Sequence, residues 1–369
     1  MSLAAHPLAG ATAGGLVQLL RSAGVAGRRA WPKLAAFAGL ALARSPVTLA
    51  ETAWLGLRRP RDLPAPLFVV GHWRSGTTHL HNLLSQAPRF SFLNPIAVGL
   101  PAERLLLGRP LQPLLARLLP ADRGVDQVAV TIDSPQEDEI ALASLGAPSY
   151  YHAYYLPQRF EATLLRGAFP TGADEARWLA RVDDLYARLV VERPDARPLI
   201  KNPVYTGRMA ALARHWPEAR FVRCLRNPYD VVASTAAFHA SLLSMLSLEP
   251  APRLDLARIT LAVYAEMDRR AAADIAALPA GTVVDVRHEA LAADPLRELA
   301  QLYDHLGEPG FEQDRPRFER YLGTLAKHRP RRYAVGQAGL ARFEAALAEP
   351  MGRWGYSVPA WATGESGHG

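Results

Sequence analysis

The segment Leu67-Phe68-Val69-Val70-Gly71-His72-Trp73-Arg74-Ser75-Gly76-Thr77-Thr78 constrains this chain more than any other. An apolar run, a turn bounded by Gly71 and Gly76, and a helix-like stretch from His79 to Gln86 follow one another in the order of a phosphate-binding loop. A helix N-terminus presents backbone N–H groups and the positive end of the dipole, so such a turn is a ready seat for an anion. In loops that hold a nucleoside triphosphate, the residue after the second glycine is a lysine that reaches the β- and γ-phosphates. Here that residue is Thr77 and the cation stands earlier, at Arg74. The expected ligand is therefore a nucleotide with no γ-phosphate. A glycine-containing strand-to-helix turn with no ligand is the other reading of the loop taken alone.

The rest of the chain is globular in composition, with 369 residues, 49% apolar and 21% charged, enough for one large α/β domain or two ordinary ones. A single cysteine, Cys224, rules out an internal disulfide framework and any Cys-based zinc site, and suits the cytoplasm. The eleven histidines show no HExxH or paired ligand spacing, so no metal is expected. The net charge of +7 is carried by arginine, since Lys33, Lys201 and Lys327 are the only lysines. Arginine-rich surfaces favour anionic ligands, although a general drift towards Arg and Ala explains most of the excess. No basic cluster interleaved with aromatics is present, so nucleic acid is not an expected partner. The N-terminus lacks a secretory pattern, and the apolar stretch Leu34–Ala43 is too short to span a bilayer. Residues 13–57 still have the pattern of amphipathic helices, with Trp31, Lys33, Arg44, Trp54, Arg58 and Arg59 at their edges. Docking onto the domain is one reading of them and peripheral contact with a membrane surface is the other.

Turn residues at 61–66 separate this helical lead, residues 1–64, from the first strand. Leu199–Ile200, Arg220–Leu225 and Thr282–Val286 have strand length and composition. They alternate with helical patterns at Arg208–His215, Tyr229–Ser241, Ala257–Ala277 and Pro295–Leu306. Alternation of that kind predicts a parallel sheet covered on both faces. Residues 96–195 interrupt it and read as mostly helical, with an amphipathic stretch at Glu175–Val191. The expected architecture is one α/β domain over residues 65–369, carrying a helical lead and a helical insertion.

Two further motifs carry chemistry. In the segment from Phe221 to Ser234, a strand ends at Arg226, Asn227 can cap, Pro228 suits the first helical turn and Asp230 can close a capping box. Arg226 and Ser234 have no such structural role, and could meet on one phosphate; a surface arginine is the other reading of Arg226 taken alone. In Leu199-Ile200-Lys201-Asn202-Pro203, a rare lysine stands at the C-terminal end of a strand, where open α/β sheets bind their ligands. A salt bridge to a nearby carboxylate is the alternative role for Lys201.

Together these segments resemble the sulfotransferases that use 3′-phosphoadenosine 5′-phosphosulfate (PAPS), enzymes with a P-loop-like fold. The resemblance spans residues 67 to about 335. The family's Pro-Lys/Arg-Ser-Gly-Thr-Thr/Ser loop is matched by Trp73-Arg74-Ser75-Gly76-Thr77-Thr78. Its Arg-Asn/Asp-Pro…Ser motif for the 3′-phosphate is matched by Arg226 and Ser234, eight residues apart. The resemblance implies that Arg74 neutralises the bridging oxygen and that Ser75, Gly76, Thr77 and Thr78 donate to the 5′-phosphate. It places His79 and His288 near the adenine, His288 through the stretch Val286-Arg287-His288-Glu289…Asp294-Pro295. Arg331, in the basic run 328–332, corresponds to an element closing on the 3′-phosphate, or else belongs to a solvated basic loop. Two separate basic pockets would grip opposite ends of the adenosine. PAPS is then the donor, the 3′,5′-bisphosphate PAP the product, and no Mg²⁺ is needed.

One position departs from the family pattern. Cytosolic relatives place a catalytic His two residues after the lysine of the third motif, and here that residue is Pro203. The base must come from elsewhere. Glu137-Asp138-Glu139 resembles an acidic segment in a bacterial branch of the family, and adjacent carboxylates repel, which raises a pKa towards the range useful to a base. Glu137 and Glu139 are the candidates here, or the segment is merely an acidic first helical turn. The aromatic run Tyr150–Tyr155 could line an aromatic acceptor pocket, with His152 as a rival base, and core packing explains the run equally well. The abundance of Leu, Ala and aromatics in the lead and insertion points to a small hydrophobic or lipid-like alcohol or phenol as acceptor. Two other classes fit the loop: a small-molecule kinase, with Asp285 as its candidate carboxylate for Mg²⁺, and a non-catalytic nucleotide-binding or membrane-docked module.

Overall fold

A computed structural model describes residues 3–24, 26–118, 131–325 and 337–363. Its strands are β1 (Leu67–Val70), β2 (Phe90–Ser91), β3 (Arg197–Lys201), β4 (Arg220–Leu225) and β5 (Val283–Arg287). β1 pairs with β4, β4 with β5 and β2 with β3, all parallel, and helices connect successive strands. The fold is α/β, as the alternation of strand and helix patterns predicts. By their internal contacts the residues gather into two compact units. One comprises Met1–Pro66, Pro88–Lys201 and Ser241–Leu254; the other comprises Leu67–Ala87, Asn202–Ala240 and Asp255–Gly369.

The unit that begins at Leu67 is built on β1, β4 and β5. Leu67, Phe68, Val69 and Val70 are fully buried, which is why this strand is a continuous apolar run without alternation. The register sets Phe68 against Phe221, whose rings stack at 5.2 Å. The helix Thr77–Leu84 follows the loop after β1 and starts two residues earlier than its apolar pattern suggests. Gly76, at φ +103°, turns the chain straight into it. The helix Pro295–Leu306 is capped by Asp294, which accepts from the Arg297 N–H at 3.1 Å, and is closed by left-handed Gly307. The capping box expected at Asp230 does not form. Asn227 caps by accepting from the Tyr229 N–H at 3.0 Å, its own N–H goes to Glu289, and Asp230 instead accepts from the Trp361 indole at 2.8 Å.

The other unit holds the helical lead, most of the insertion and the β2–β3 pair. β2 has two residues, too few to leave a pattern in the sequence. Trp178, Tyr150, Tyr154, Tyr155, Tyr186, Phe37, Phe90 and Phe160 are its largest fully buried side chains. The helix Trp31–Arg58 is fastened by Glu51, which accepts from Arg188 (3.2 Å) and from the N–H groups of Leu105 (2.9 Å) and Leu106 (3.0 Å). Burial raises the pKa of Glu51, and those N–H groups and the Arg188 charge oppose the rise.

Candidate active site

The loop after β1 is a tight, nearly closed turn. Gly71 has φ +131°, and a Cβ there would lie 2.6 Å from the Cys224 carbonyl oxygen. Its N–H is taken by Thr206 Oγ1 at 2.7 Å. The Ser75 N–H returns to the His72 carbonyl at 3.1 Å. Arg74 is the one non-glycine with positive φ among the described residues, at +67°. That conformation costs an L-residue energy and is held here by the surrounding contacts.

Three of these contacts draw the loop and the Arg226/Ser234 motif together. Arg74 Nε donates to Ser234 Oγ at 3.0 Å, and Arg226 Nη1 donates to the Arg74 carbonyl at 3.0 Å. The Thr235 hydroxyl donates to the Trp73 carbonyl at 3.2 Å. The two motifs, read from the sequence as separate grips, share direct hydrogen bonds. Ser234 is buried, while Arg74 and Arg226 are half-buried.

The helix that starts at Thr77 has no side-chain cap, because its N-cap is Gly76; its first bond runs from the Leu80 N–H to the Gly76 carbonyl at 3.2 Å. The first-turn amides of Thr77 and Thr78 therefore lie at the end of the turn with no capping oxygen on them. Ser75 Oγ, in the same turn, is buried without a hydrogen-bond partner among the described residues, an arrangement that ordinarily costs about 1–3 kcal/mol. His288 stands over this corner: a Cβ on Gly76 would fall 2.6 Å from His288 Nδ1. His79 lies half-buried on the first turn of the helix. The small cavity touching Gly71, Ser75, Arg223 and Trp354 has a volume of about 40 Å³, room for water and not for a nucleotide.

Lys201, Glu137, Glu139 and His152 belong to the other unit. Lys201 closes β3 and is buried, with Nζ 2.8 Å from Glu137 Oε2. The Tyr150 hydroxyl donates to the other oxygen of Glu137. Burial, and then the Glu137 charge, raises the Tyr150 pKa and keeps the phenol a donor. The acidic triplet does not converge. Asp138 accepts from Tyr186 at 2.9 Å, and Glu139 opens the helix Glu139–Leu145; both are fully buried, whereas the Glu137 side chain keeps 12% exposure. His152 is fully buried, and burial pushes its pKa down to about 4. Arg331 lies outside the described residues. Asp285, the carboxylate that a kinase would use, is held bidentately by Arg223 at 2.8 and 2.7 Å.

Sequence reasoning missed Thr206, Thr235 and the bracing phenols Tyr150 and Tyr186. Thr206 had one usable signal: Asn202-Pro203 just after a strand opens a short turn, and Asn202 caps it by accepting from the Val204 N–H at 3.1 Å.

The model of the Sulfotransferase family matches residues 66–313, which include the loop, Lys201, Arg226, Ser234 and His288. The chain is 29% identical over 296 residues to the omega-hydroxy-beta-dihydromenaquinone-9 sulfotransferase Stf3 of Mycobacterium bovis and to its namesake in Mycobacterium tuberculosis, covering 79% of this chain and 75% of each relative. Among solved structures it is similar to sulfotransferase STF9 from Mycobacterium avium, with a TM-score of 0.66 and 16% identity over 84% of this chain and 82% of that one. Sulfotransferase STF1 from Mycobacterium tuberculosis is similar too, with a TM-score of 0.63 and 18% identity over 92% and 90%. These two likenesses concern the fold. With the family match running from the start of β1 to beyond β5, the chain belongs to the sulfotransferase family.

Proposed function

We propose that the chain moves a sulfuryl group from PAPS to the hydroxyl of a hydrophobic, lipid-like alcohol or phenol. The observation that carries the donor half is the joined loop. Arg74 and Arg226 supply charge, Ser234 a hydroxyl, Thr77 and Thr78 uncapped amides, and Ser75 a buried hydroxyl with no partner among the described residues. A 5′-phosphate accepting from that corner would satisfy the Ser75 hydroxyl. Thr77 at the lysine position and Asp285 tied to Arg223 disfavour a triphosphate with Mg²⁺.

When bound, the donor supplies a sulfuryl group activated on its 5′-phosphate. The acceptor oxygen attacks the sulfur in line, the bond from sulfur to the phosphate oxygen breaks, and the hydroxyl proton leaves. Positioning and neutralisation of the departing oxygen dominate such transfers, as in phosphoryl transfer. Arg74 and Lys201 carry that charge in this reading. Glu137 takes the proton: it keeps some exposure, whereas Glu139 and His152 are sealed. Lys201 and Tyr150 orient it until the acceptor arrives. The lipid-like acceptor rests on the omega-hydroxy-beta-dihydromenaquinone-9 for which the Stf3 relatives are named and on the apolar, aromatic unit that holds the helical lead.

Two measurements test this. Calorimetry with 3′,5′-adenosine bisphosphate should show binding that Arg226→Ala weakens by about tenfold or more, the scale of a charge-assisted hydrogen bond. Mass spectrometry of a lipid extract incubated with enzyme and PAPS should show products heavier by one sulfuryl group. Equal bisphosphate affinity in the variant would overturn the role of Arg226. ATP turnover dependent on Mg²⁺, with no sulfated product, would overturn the reaction.

A further inference from the structure

We propose that the helix Trp31–Arg58 docks the protein flat onto an anionic lipid bilayer. It is 28 residues long, about 42 Å at 1.5 Å per residue. One side, along Leu34, Phe37, Ala41, Glu51 and Leu55, is buried in its own unit. The opposite side is exposed and almost without polar groups. Leu42, Leu49 and Leu57 are 66%, 70% and 87% exposed, and Trp31 and Trp54 are 48% and 36% exposed. Of the exposed residues in this helix, only Lys33, Thr52 and Arg58 have polar side chains apart from the two indoles. Lys33 Nζ is turned onto the Leu248 carbonyl, and the Thr52 hydroxyl is spent on the Thr48 carbonyl one turn back.

A soluble helix docked on its domain should show water a polar face. This one shows a long apolar strip, of the kind that marks a contact surface. Three observations select a lipid surface as the occupant. Trp31 and Trp54, side chains favoured at the headgroup level, stand about 35 Å apart at the two ends of the strip. Arg28 and Arg29 at one end and Arg58 and Arg61 at the other are exposed cations, which attract anionic headgroups. The helix's one acid, Glu51, is buried. A second copy of the chain fits worse, because a two-fold pairing through this helix, parallel or antiparallel, sets arginine ends against arginine ends. Among the described residues no helix is long and apolar enough to cross a membrane, so the helix lies in the interface plane.

The test is co-sedimentation of the full chain with vesicles of phosphatidylcholine containing phosphatidylglycerol, against vesicles of phosphatidylcholine alone. The chain should sediment with the anionic vesicles, more weakly at high salt. Leu49→Glu and Leu57→Glu should each lower the partition coefficient by about tenfold or more. Both positions are exposed, so folding should persist by circular dichroism, and Leu49→Phe should retain binding. Three results overturn the proposal: wild-type protein left in the supernatant, glutamate variants that bind like wild type, or sedimentation equilibrium showing a dimer that Leu49→Glu dissociates. No sulfuryl transfer is measured, so the outcome stands apart from the proposed reaction.

Discussion

Replacing Arg74 by alanine and by glycine separates its backbone from its charge. At φ +67° the residue sits in the left-handed region, which costs an L-residue about 1–2 kcal/mol. Arg74→Ala keeps a Cβ, and so keeps that strain, while losing the 3.0 Å bond to Ser234. Arg74→Gly loses the same bond but sheds the strain, and is partly offset by about 0.5–1 kcal/mol of extra chain entropy in the unfolded state. The glycine variant should therefore be the more stable of the two by roughly 0.5–1 kcal/mol, read from urea unfolding midpoints. Both should lose turnover by at least ~100-fold, the scale of one donor to a departing oxygen, measured with labelled PAPS and a long-chain alcohol. Should the glycine variant unfold no later than the alanine variant, the backbone reasoning is wrong. Turnover within tenfold of wild type in either variant removes the charge role of Arg74.

Lys201→Ala should lower turnover by at least ~100-fold and destabilise the protein by on the order of 3 kcal/mol, because it strips a buried partner from Glu137. Adding Glu137→Gln should restore part of the stability and none of the turnover; recovery of both would show that the pair is structural. Gly76→Ala should cost about 1–3 kcal/mol, since a side chain there is strained and meets His288 at 2.6 Å. His288→Ala in the same chain should return part of that loss, and strict additivity of the two changes would exclude the contact. Stability should also fall in acid. Burial pushes the pKa of His72 and His152 down to about 4 and that of His239 down to about 3, against 6.5 in the unfolded chain. Between those values the unfolded chain binds more protons than the folded one. The stabilisation is thus complete above about pH 6.5 and is lost as the pH falls towards 4, by on the order of 3 kcal/mol per histidine. Urea midpoints that are level between pH 7.5 and 5 would contradict this.

Much of the candidate site is written locally. The order of β1, loop and helix follows from four apolar β-formers, two glycines and a pair of threonines, and nothing distant is needed to read it. Asp294-Pro295 marked a helix start for the same reason: capping is a matter of a few adjacent residues. The Asp230 capping box failed because its carboxylate was claimed by Trp361, 131 residues away. His152 and the tyrosines around it read equally as a pocket and as packing, and only their burial shows the core they form.

Local chemistry therefore determined the α/β class and the strand-loop-helix turn at Gly71–Thr78, because strand, turn and cap preferences act over a few neighbours. The fold decided who meets whom: Arg74 with Ser234 across 160 positions, Lys201 with Glu137 across 64, and Ser75 with no partner among the described residues. It also decided that the outer side of Trp31–Arg58 stays uncovered. An apolar helical period announces a face to be buried; what buries it depends on elements far along the chain, and only packing in three dimensions supplies or withholds them.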